Sequence, residues 1–366
     1  MSDWREYKLG EVVTFQRGHD LPKDKMVDGD IPVAGSNGVI GFHNEYTLNG
    51  PGVTIGRSGN IGIPHYYPKA YWAHNTVLYI KDFKGNDPKF MYYLLKTMDF
   101  TQLNTGSAVP SLNRNHIHEL PVSVPSIDEQ RRIASILTSL DDKIDLLRRE
   151  NATLEAMAET LFRQWFVVEA KEEWEERPLS KCIKLIGGGT PKTSEERFWN
   201  GNVCWLSGGD IANNHKSFVS SSEKSISEDG LNNSSAKLLP ENAMVVSARG
   251  TVGKYCLLSK PMAFSQSNYG ILPVFDNCYF FTYLLVAYHI DELQSAAYGS
   301  VFDTITTKTF EGVMVLLPKD TSYILEFEKM IAPYFKKMKN NNKQIHNLIQ
   351  TRDGLLEKLM SNEIKI

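Results

Sequence analysis

Two long stretches of the chain place their apolar residues on one face of a helix. In the first, from Ile127 to Val168, apolar residues recur every three or four positions, and no proline or glycine interrupts them. This spacing is typical of an amphipathic α-helix. Ser126 followed by Glu129 predicts a capping box at its start. At 1.5 Å per residue the helix would be about 60 Å long. That is too long to pack along one small domain, so we expect a spacer or coiled-coil element.

The second stretch closes the chain, with apolar residues spaced in the same way from Phe327 to Leu359. Pro333 is expected to kink its beginning. The run Asn340–Asn342 interrupts the apolar face midway and predicts exposed or polar packing there. Because a whole globular region separates the two stretches, we expect the two helices to run antiparallel against each other.

The rest of the chain consists of short apolar runs separated by turn signals, a pattern that predicts short strands. The first such region extends from Trp4 to Pro125 and should contain one helix, over Asp87–Met98, with Asp87 as its cap. The second extends from Trp174 to Pro318, with a helix around Tyr279–Leu293.

The two regions repeat each other. VTIGRSGNIG (Val53–Gly62) corresponds to VVSARGTVG (Val245–Gly253). Later, Leu103–Pro125 corresponds to Leu293–Pro318, with Gly106-Ser107 falling on Gly299-Ser300. Duplication of a domain plus its helix gives one chain two similar faces, which suit a two-part target or a symmetric pair of partners.

The fold class that follows is α+β, with two similar globular domains of short twisted strands plus helices. Two long antiparallel coiled-coil helices separate them, and the whole forms a pseudo-twofold internal repeat. The predicted divisions are residues 1–125 for the first domain, 126–172 for the central helix, 173–320 for the second domain and 321–366 for the C-terminal helix.

Bulk composition is that of a soluble globular protein. A length of 366 residues exceeds the size of a single core, so two or more domains are expected. No apolar run is long enough for a membrane span, and the N-terminus lacks a signal core. Four widely spaced cysteines indicate reduced thiols in a cytoplasmic protein. A net charge of −3 means that DNA binding would need a local positive cluster or a basic partner.

The sequence motifs that could indicate catalysis or ligand binding are all incomplete. Gly187–Thr193 lacks phosphate-loop spacing, and Pro191 blocks the helix start. His116 and His118 have no obvious third metal ligand, so a surface pair is favoured. Glu363–Lys365 has half of a nuclease pattern but lies in the tail. No methylation or dinucleotide-binding motif is present, so we expect a non-catalytic chain that holds no metal or cofactor.

Several segments together resemble a known family, and the likeness covers nearly the whole chain. RGHDLPKDKMVDGDIPVAGSNGVIGFH (Arg17–His43) with GVTIGRSGNIG (Gly52–Gly62) resembles the first target-recognition domain of specificity subunits of type I restriction–modification systems. GGGTPKTSEERFWNGNVCWLSGGDI (Gly187–Ile211) resembles another subtype of that domain. EQRRIASILTSLDDKID and LFRQWF within Glu129–Phe166, and LLEKLMSNEI (Leu355–Ile364), are similar to the family's central and distal conserved helices.

The resemblance implies a subunit without catalysis that binds double-stranded DNA. Each recognition domain would read one half of an asymmetric, bipartite site, and the different subtypes imply different half-sites. The helices would fix the spacing and dock two modification (methyltransferase) subunits, which use S-adenosylmethionine. Two restriction subunits would add ATP- and Mg-dependent translocation and cleavage. Half-sites about one DNA turn apart, roughly 34 Å, need a rigid spacer of this scale.

Base reading needs donor and acceptor side chains on loops that approach a groove. The candidates lie in polar turns beside apolar strands: Arg17, His19, Ser36, Asn37, Arg57, Ser58, Asn60 and Asn75 in the first domain, and Thr190, Lys192, Thr193, Asp210, Arg249, Thr251, Gln266, Ser267 and Asn268 in the second. Turn chemistry is the alternative role for each. Arg57 and Arg249 are favoured, because nothing in their loops needs a charge for folding.

For docking of a partner, the candidates are apolar residues at the helix ends: Leu161, Phe162, Trp165, Phe166, Leu355, Leu356 and Leu359. Trp165 and Phe166 could instead cap the intrachain helix pair. A scaffold that binds two proteins is the competing function. Polar loops in equivalent positions favour the DNA reader, because protein interfaces prefer apolar centres.

Overall fold

The computed structural model describes residues 4–100, 103, 111–298 and 303–366. The repeated pairs Gly106-Ser107 and Gly299-Ser300 lie outside the described residues. The chain forms two compact units, Met1–Ile144 with Asn347–Ile366, and Asp145–His346. Each unit therefore contains one globular domain and a part of each long helix.

The first domain is built from short strands and short helices. Its elements in chain order are β1 (Arg5–Lys8), α1 (Leu9–Val12), β2 (Thr14–Arg17), a 3-10 turn (Lys23–Lys25), β3 (Ile31–Gly35), β4 (Gly38–His43), β5 (Gly52–Gly56), β6 (Pro64–Tyr67), β7 (Trp72–Ala73), β8 (Val77–Asp82), α2 (Pro88–Lys96), α3 (Arg114–His118) and β9 (Pro121–Val124). The strands form sheets in the orders β2-β8-β5-β6 and β4-β3-β7, and β1 pairs with β9.

Strand β5 and helix α2 carry the core of this domain. All five residues of β5 are buried, because neighbouring strands flank it on both sides and both its faces are covered. Helix α2 begins as predicted, with the Asp87 carboxylate accepting from the backbone N–H of Phe90 (2.9 Å). Its buried residues join Ile133 and Leu137 in one hydrophobic cluster.

The central helix α4 spans Ile127–Arg163 and continues through a π-helical turn, Gln164–Val168. The predicted capping box forms only in part. The Ser126 hydroxyl accepts from the Glu129 N–H at 3.5 Å, whereas the Glu129 carboxylate accepts from the Trp4 indole (3.1 Å). The Glu129 side chain therefore joins the start of α4 to Trp4, the residue before β1.

The second domain follows a similar plan with more strands. Its elements are β10 (Glu175–Pro178), α5 (Leu179–Cys182), β11 (Ile183–Gly187), a 3-10 turn (Glu196–Phe198), β12 (Trp199–Leu206), α6 (Gly208–Asn213), β13 (Phe218–Val219), β14 (Lys224–Ile226), α7 (Glu228–Asn232), β15 (Leu238–Leu239), β16 (Met244–Ser247), β17 (Tyr255–Leu258), β18 (Met262–Phe264), β19 (Asn268–Pro273), α8 (Tyr279–Tyr288), α9 (Ile290–Tyr298), α10 (Thr307–Gly312) and β20 (Met314–Leu317). The sheets have the orders β11-β19-β16-β17-β13 and β14-β12-β18-β15, and β10 pairs with β20.

Two helices replace the single one predicted around Tyr279–Leu293. Helix α8 ends at Tyr288, because the backbone of the next residue, His289, leaves helical geometry (φ −96°, ψ 10°), and α9 starts at Ile290. The apolar pattern could not show this break, because apolar residues occur on both sides of it, at Leu285 and Val286 before it and at Ile290 and Leu293 after it.

The chain closes with helix α11, Ser322–Met360, which passes through Pro333 without ending. Within the second unit, the polar packing predicted for the asparagine run is confirmed. Asn341 is fully buried, and its amide donates to Glu150 and Asn151 of α4 (2.8 Å each). No helix among the described residues combines the length and hydropathy needed to cross a membrane.

Candidate nucleic-acid interface

The loop after β5 is held in place mainly by backbone hydrogen bonds. The Gly62 N–H donates to the Gly56 carbonyl (2.8 Å), which closes the loop on itself, and the Arg57 N–H donates to the Thr76 carbonyl (2.8 Å). The Arg57 carbonyl in turn accepts from Leu112 (2.9 Å). Gly62 has a φ of +76°, a conformation that disfavours any other residue. The Arg57 side chain is therefore not needed to shape the loop.

A second set of backbone bonds fixes the segment after β2 against the turn before β8. Gly18 donates to the Val77 carbonyl (3.1 Å), and His19 donates to the Ala73 carbonyl (2.7 Å). The turn itself is closed by Val77 donating to His74 (3.0 Å). Both loops and this turn thus form one rigid frame at the end of the sheet.

Three arginines line one open cavity in this frame. The cavity has a volume of about 520 Å³ and is lined by Arg17, Arg57 and Arg114 together with Leu78 and the segment 111–113. Arg17 lies 3.6 Å from Asp20, and an Arg57 guanidinium nitrogen lies 3.5 Å from the Asn75 carbonyl. These are weak, long contacts, so the guanidinium groups are available to another anion or acceptor.

Arg114 was not among the candidates from the sequence. It is the first residue of α3, where the Asn113 side chain caps the helix by accepting from Asn115 (3.0 Å). Its side chain has no hydrogen-bond or ionic partner among the described residues. Three guanidinium groups around one cavity make a site suited to phosphate oxygens or to the guanine edge.

Three asparagines and one serine among the candidates of the first domain have local partners. The exposed Asn37 and Asn60 side chains bond to each other (2.6 Å), and Asn75 bonds to Asp20. Ser36 is buried, with its hydroxyl within hydrogen-bond distance of the Ser58 (2.6 Å) and Thr76 (2.8 Å) carbonyls. It holds two loops together. His19 is exposed.

The loop after β16 in the second domain has the same frame. Gly253 donates to the Ser247 carbonyl (2.9 Å), Ala248 donates to Ser267 (3.0 Å), and the Ala248 carbonyl accepts from Ile305 (3.1 Å). Gly253 has a φ of +77°, as Gly62 does in the first domain. The loop before β19 matches as well, since Asn268 donates to the Ser265 carbonyl (3.1 Å).

The segment after β11 completes the match. Gly188 donates to the Asn268 carbonyl (3.4 Å), and Gly189 donates to the Phe264 carbonyl (3.0 Å). These two donors correspond to Gly18 and His19 of the first domain. These bonds equate residues of the two domains one by one. The equivalents of Arg17, Arg57 and Arg114 are Gly187, Ala248 and Thr307.

The arginine cavity of the first domain is therefore not repeated in the second. Arg249 is equivalent to Ser58, one position beyond Arg57, so the two favoured arginines lie in matching loops but at different positions. Arg249 is exposed and has no side-chain partner among the described residues. Lys192 and Gln266 are likewise exposed. Two similar frames thus present different side chains.

Other polar candidates of the second domain are used inside it. The Asp210 carboxylate accepts from the N–H groups of Ser207 (2.8 Å) and Glu223 (2.9 Å), so it caps α6. The Thr251 hydroxyl contacts the Ser247 hydroxyl (2.9 Å). Asn268 is only 2% exposed. Asp210 and Thr251 are half-buried. Thr190 and Ser267 are half-buried, and Thr193 is exposed.

His118 is also accounted for. It lies on α3, and its Nε2 accepts from the Phe15 N–H (3.0 Å), so it joins helix to strand. The described residues contain no group of three or more histidine, cysteine or acidic side chains that could hold a metal ion.

A family model decides the relationship. The model described as the type I restriction modification DNA specificity domain matches residues 1–156 and again residues 171–351. The chain belongs to this family. The two matched regions contain the two loop frames, so each DNA specificity domain carries one of them.

Relatives in this family match the chain over its whole length. The specificity subunit of the type I restriction enzyme MjaIX from Methanocaldococcus jannaschii is 24% identical, over 100% of this chain and 94% of the relative. The specificity subunit of the type I restriction enzyme HindI from Haemophilus influenzae is also 24% identical, over 100% of both chains.

A solved structure agrees on the fold. The type I restriction–modification S subunit from M. genitalium superimposes with a TM-score of 0.66, covering 98% of this chain and 96% of that one at 15% identity. The fold of this chain is thus similar to that of a solved S subunit.

The apolar residues predicted to dock a partner lie mostly inside this specificity subunit. Phe162 and Phe166 are 2% and 5% exposed and belong to the core of the second unit. Leu356 and Leu359 are buried in the core of the first, with Leu355 partly buried against it. Leu161 and Trp165 are half-buried; the Trp165 ring packs on Tyr323, 4.8 Å between centroids. These residues pack the ends of the long helices within the chain.

Proposed function

We propose that each specificity domain of this chain reads one half of a bipartite, asymmetric DNA target. The chain is the DNA-recognition subunit of a type I restriction–modification complex and is not itself an enzyme. The observation that supports two separate readers is the repeated loop frame, in which the same backbone bonds present different side chains. A shared frame suits a shared kind of target, and the differing side chains suit two different half-sites.

The arginine cavity is the base-reading or phosphate-binding site that we propose for the first domain. Arginine forms paired hydrogen bonds with the O6 and N7 atoms of guanine in the major groove and also binds phosphate. In the second domain we propose Arg249, Lys192 and Gln266, because their side chains are exposed at the matching end of the sheet. Glutamine pairs preferentially with adenine.

The two long helices, in this proposal, are an antiparallel coiled-coil pair that gives the chain its pseudo-twofold repeat. Contacts within the second unit support the direction. Asn151 of α4 bonds to Asn342 of α11, and further along α4 the Trp165 ring packs on Phe327, earlier in α11. A rigid pair of helices would set the distance between the two half-sites.

Partner subunits complete the proposed activity. Two modification subunits would dock on the helices and methylate the target with S-adenosylmethionine, and two restriction subunits would use ATP and Mg²⁺. With a net charge of −3, this chain supplies few of the phosphate contacts itself.

The test is to purify the chain with its modification subunits and to sequence the DNA that the complex methylates from a random pool. We expect one consensus made of two different half-sites and a fixed spacer. The chain alone is the control and should select little. Methylation without a bipartite consensus would refute the two-reader proposal.

A further inference from the structure

A cluster of polar side chains joins three elements of the second unit. The side-chain amide of Asn151 in α4 donates to the Asn342 side chain of α11 (2.7 Å), and the Asn341 amide donates to the side-chain oxygen of Asn151 and to the Glu150 carboxylate (2.8 Å each). Asn342 also donates to the hydroxyl of Ser217 in the globular domain (2.7 Å). We call these side chains the amide node. It connects both long helices and the second specificity domain.

The amide node is unfavourable as simple packing. Asn341 is 0% exposed, and its amide oxygen has no hydrogen-bond partner among the described residues. A buried polar atom without a partner is destabilising, and apolar residues at such positions usually give a more stable helix pair. What a buried asparagine supplies in a coiled coil is a single register, because only one alignment brings the amides together.

The first unit has a matching cluster with a different chemistry. The Asp141 carboxylate of α4 accepts from Arg352 of α11 and from the hydroxyl of Tyr93 in α2, at 2.7 Å each. Tyr93 is fully buried, and the Arg352 side chain is 17% exposed. We call these three side chains the ionic node. It too connects both long helices and one specificity domain.

The spacing of the two nodes is the same on both helices. Asp141 and Asn151 are ten residues apart on α4, and Asn342 and Arg352 are ten residues apart on α11. A slip of one helix along the other would separate the partners in both nodes at once. An apolar seam without these nodes would tolerate a slip of one heptad, because the same kinds of residue would meet again.

We propose that the amide node and the ionic node fix the register of the helix pair. Through Ser217 in the amide node and Tyr93 in the ionic node, they also fix the attachment of each specificity domain. They would thereby determine the spacer length of the DNA target. This inference rests on the proposed function. Asn151, Asn341, Asn342, Asp141, Arg352 and Tyr93 are positioning residues and touch no DNA.

The test uses the intact complex with modification subunits and measures the distribution of spacer lengths among methylated sites. In the double variant Asn151→Leu, Asn341→Leu, we expect both half-sites to be unchanged while the preference for the native spacer falls about tenfold or more. Asn340→Ala is the matched control, since Asn340 is the exposed neighbour on the same helix. It should retain the native spacer.

The ionic node gives an independent variant in case the double leucine variant does not assemble. Arg352→Leu should broaden the spacer distribution, whereas Arg352→Lys, which keeps the charge, should restore most of the native preference. A single native spacer in assembled Asn151→Leu, Asn341→Leu and Arg352→Leu complexes would overturn the inference. If the wild-type complex itself shows no bipartite consensus, the proposed function fails instead.

Discussion

Arg57 and Arg114 can be replaced with little effect on the fold, because their loops are held by backbone bonds and helix caps. Arg57→Ala and Arg114→Ala should each weaken or relax reading of one half-site. The expected loss is about 1–3 kcal/mol if a paired base contact disappears. Arg249→Ala should affect the other half-site. The consensus of the methylated sites measures both effects.

The control for these variants is Arg131→Ala. Arg131 is an exposed arginine on α4 that lies 3.7 Å from Asp128 and does not line the arginine cavity. This variant should leave both half-sites intact. Equal damage to both half-sites by Arg57→Ala would contradict the assignment of one reader to each domain.

Glu155 makes the stability of the second unit depend on pH. Burial raises the pKa of its carboxyl to about 7, although the Tyr283 hydroxyl donates to it (2.6 Å). The folded state therefore holds a proton that the unfolded state releases near pH 4.5. The contribution of Glu155 to the free energy of unfolding is therefore greatest below about pH 4.5. It is lost as the pH rises from about 4.5 to about 7.

Glu155→Gln should remove this dependence, because glutamine keeps an acceptor for Tyr283 but carries no charge. The variant should gain stability relative to the wild type at pH 8, by at most about 3 kcal/mol, and little at pH 4.5. Denaturant unfolding at the two pH values measures the difference. Lys216, which pairs with Glu159 nearby, is unchanged in both proteins. An equal effect of the substitution at both pH values would argue against a buried, neutral carboxyl.

At the level of single residues, the sequence predicted the loops that the two frames share, but not the environment of every side chain in them. Arg57 and Arg249 stood out because glycine-rich turns do not need a charge. Asp210 also lies in a polar turn beside a strand. Its spacing from Ser207, however, is that of a capping box, which predicts the hydrogen bonds that the structure shows. Arg114 gave no signal of its own, since only the folded chain brings α3 beside β5.

Among the elements, helices with an uninterrupted apolar face were predicted almost to the residue. Helix α4 and its π-helical turn end at Val168, where the pattern ends. Short strands were predicted as a class but not in their pairing. Sheet order depends on contacts between distant parts of the chain, such as Arg5 opposite Val124, that no local pattern contains.

The helices should act as a ruler only when both are lengthened. The two nodes are ten residues apart on each helix, so an insertion in α4 alone would remove one node from register. We expect such a variant to lose assembly or selectivity. Matched insertions of four residues, near Arg149 and near Asn347, should keep both nodes while separating them by about 6 Å.

DNA rises about 3.4 Å per base pair, so the matched variant should prefer a spacer longer by one or two base pairs, with both half-sites unchanged. The methylated-site consensus is the measurement. Deleting two residues from each helix instead rotates the apolar face by about 200° and should destroy assembly. An unchanged spacer in a fully active insertion variant would show that the helices do not set the distance.

At the scale of the whole molecule, the two specificity domains are similar in frame and different in charge. Three arginines surround the cavity of the first domain, and glycine, alanine and threonine replace them in the second. The two half-sites should therefore differ in how much of their binding comes from cationic contacts. Neither domain has the excess of positive charge needed to hold a duplex alone.

We therefore expect the isolated chain to bind DNA weakly and with little selectivity, and a complex with two modification subunits to bind tightly. In that complex the partners supply most of the phosphate contacts, so its affinity should fall steeply with salt concentration. Alanine at Arg57 and Arg114 should change selectivity more than salt dependence if these side chains contact bases, and reduce the salt slope if they contact phosphates. Titration of a cognate and a scrambled duplex at several salt concentrations distinguishes these outcomes. Tight, selective binding by the chain alone would show that the two arginine-bearing frames suffice without the partners.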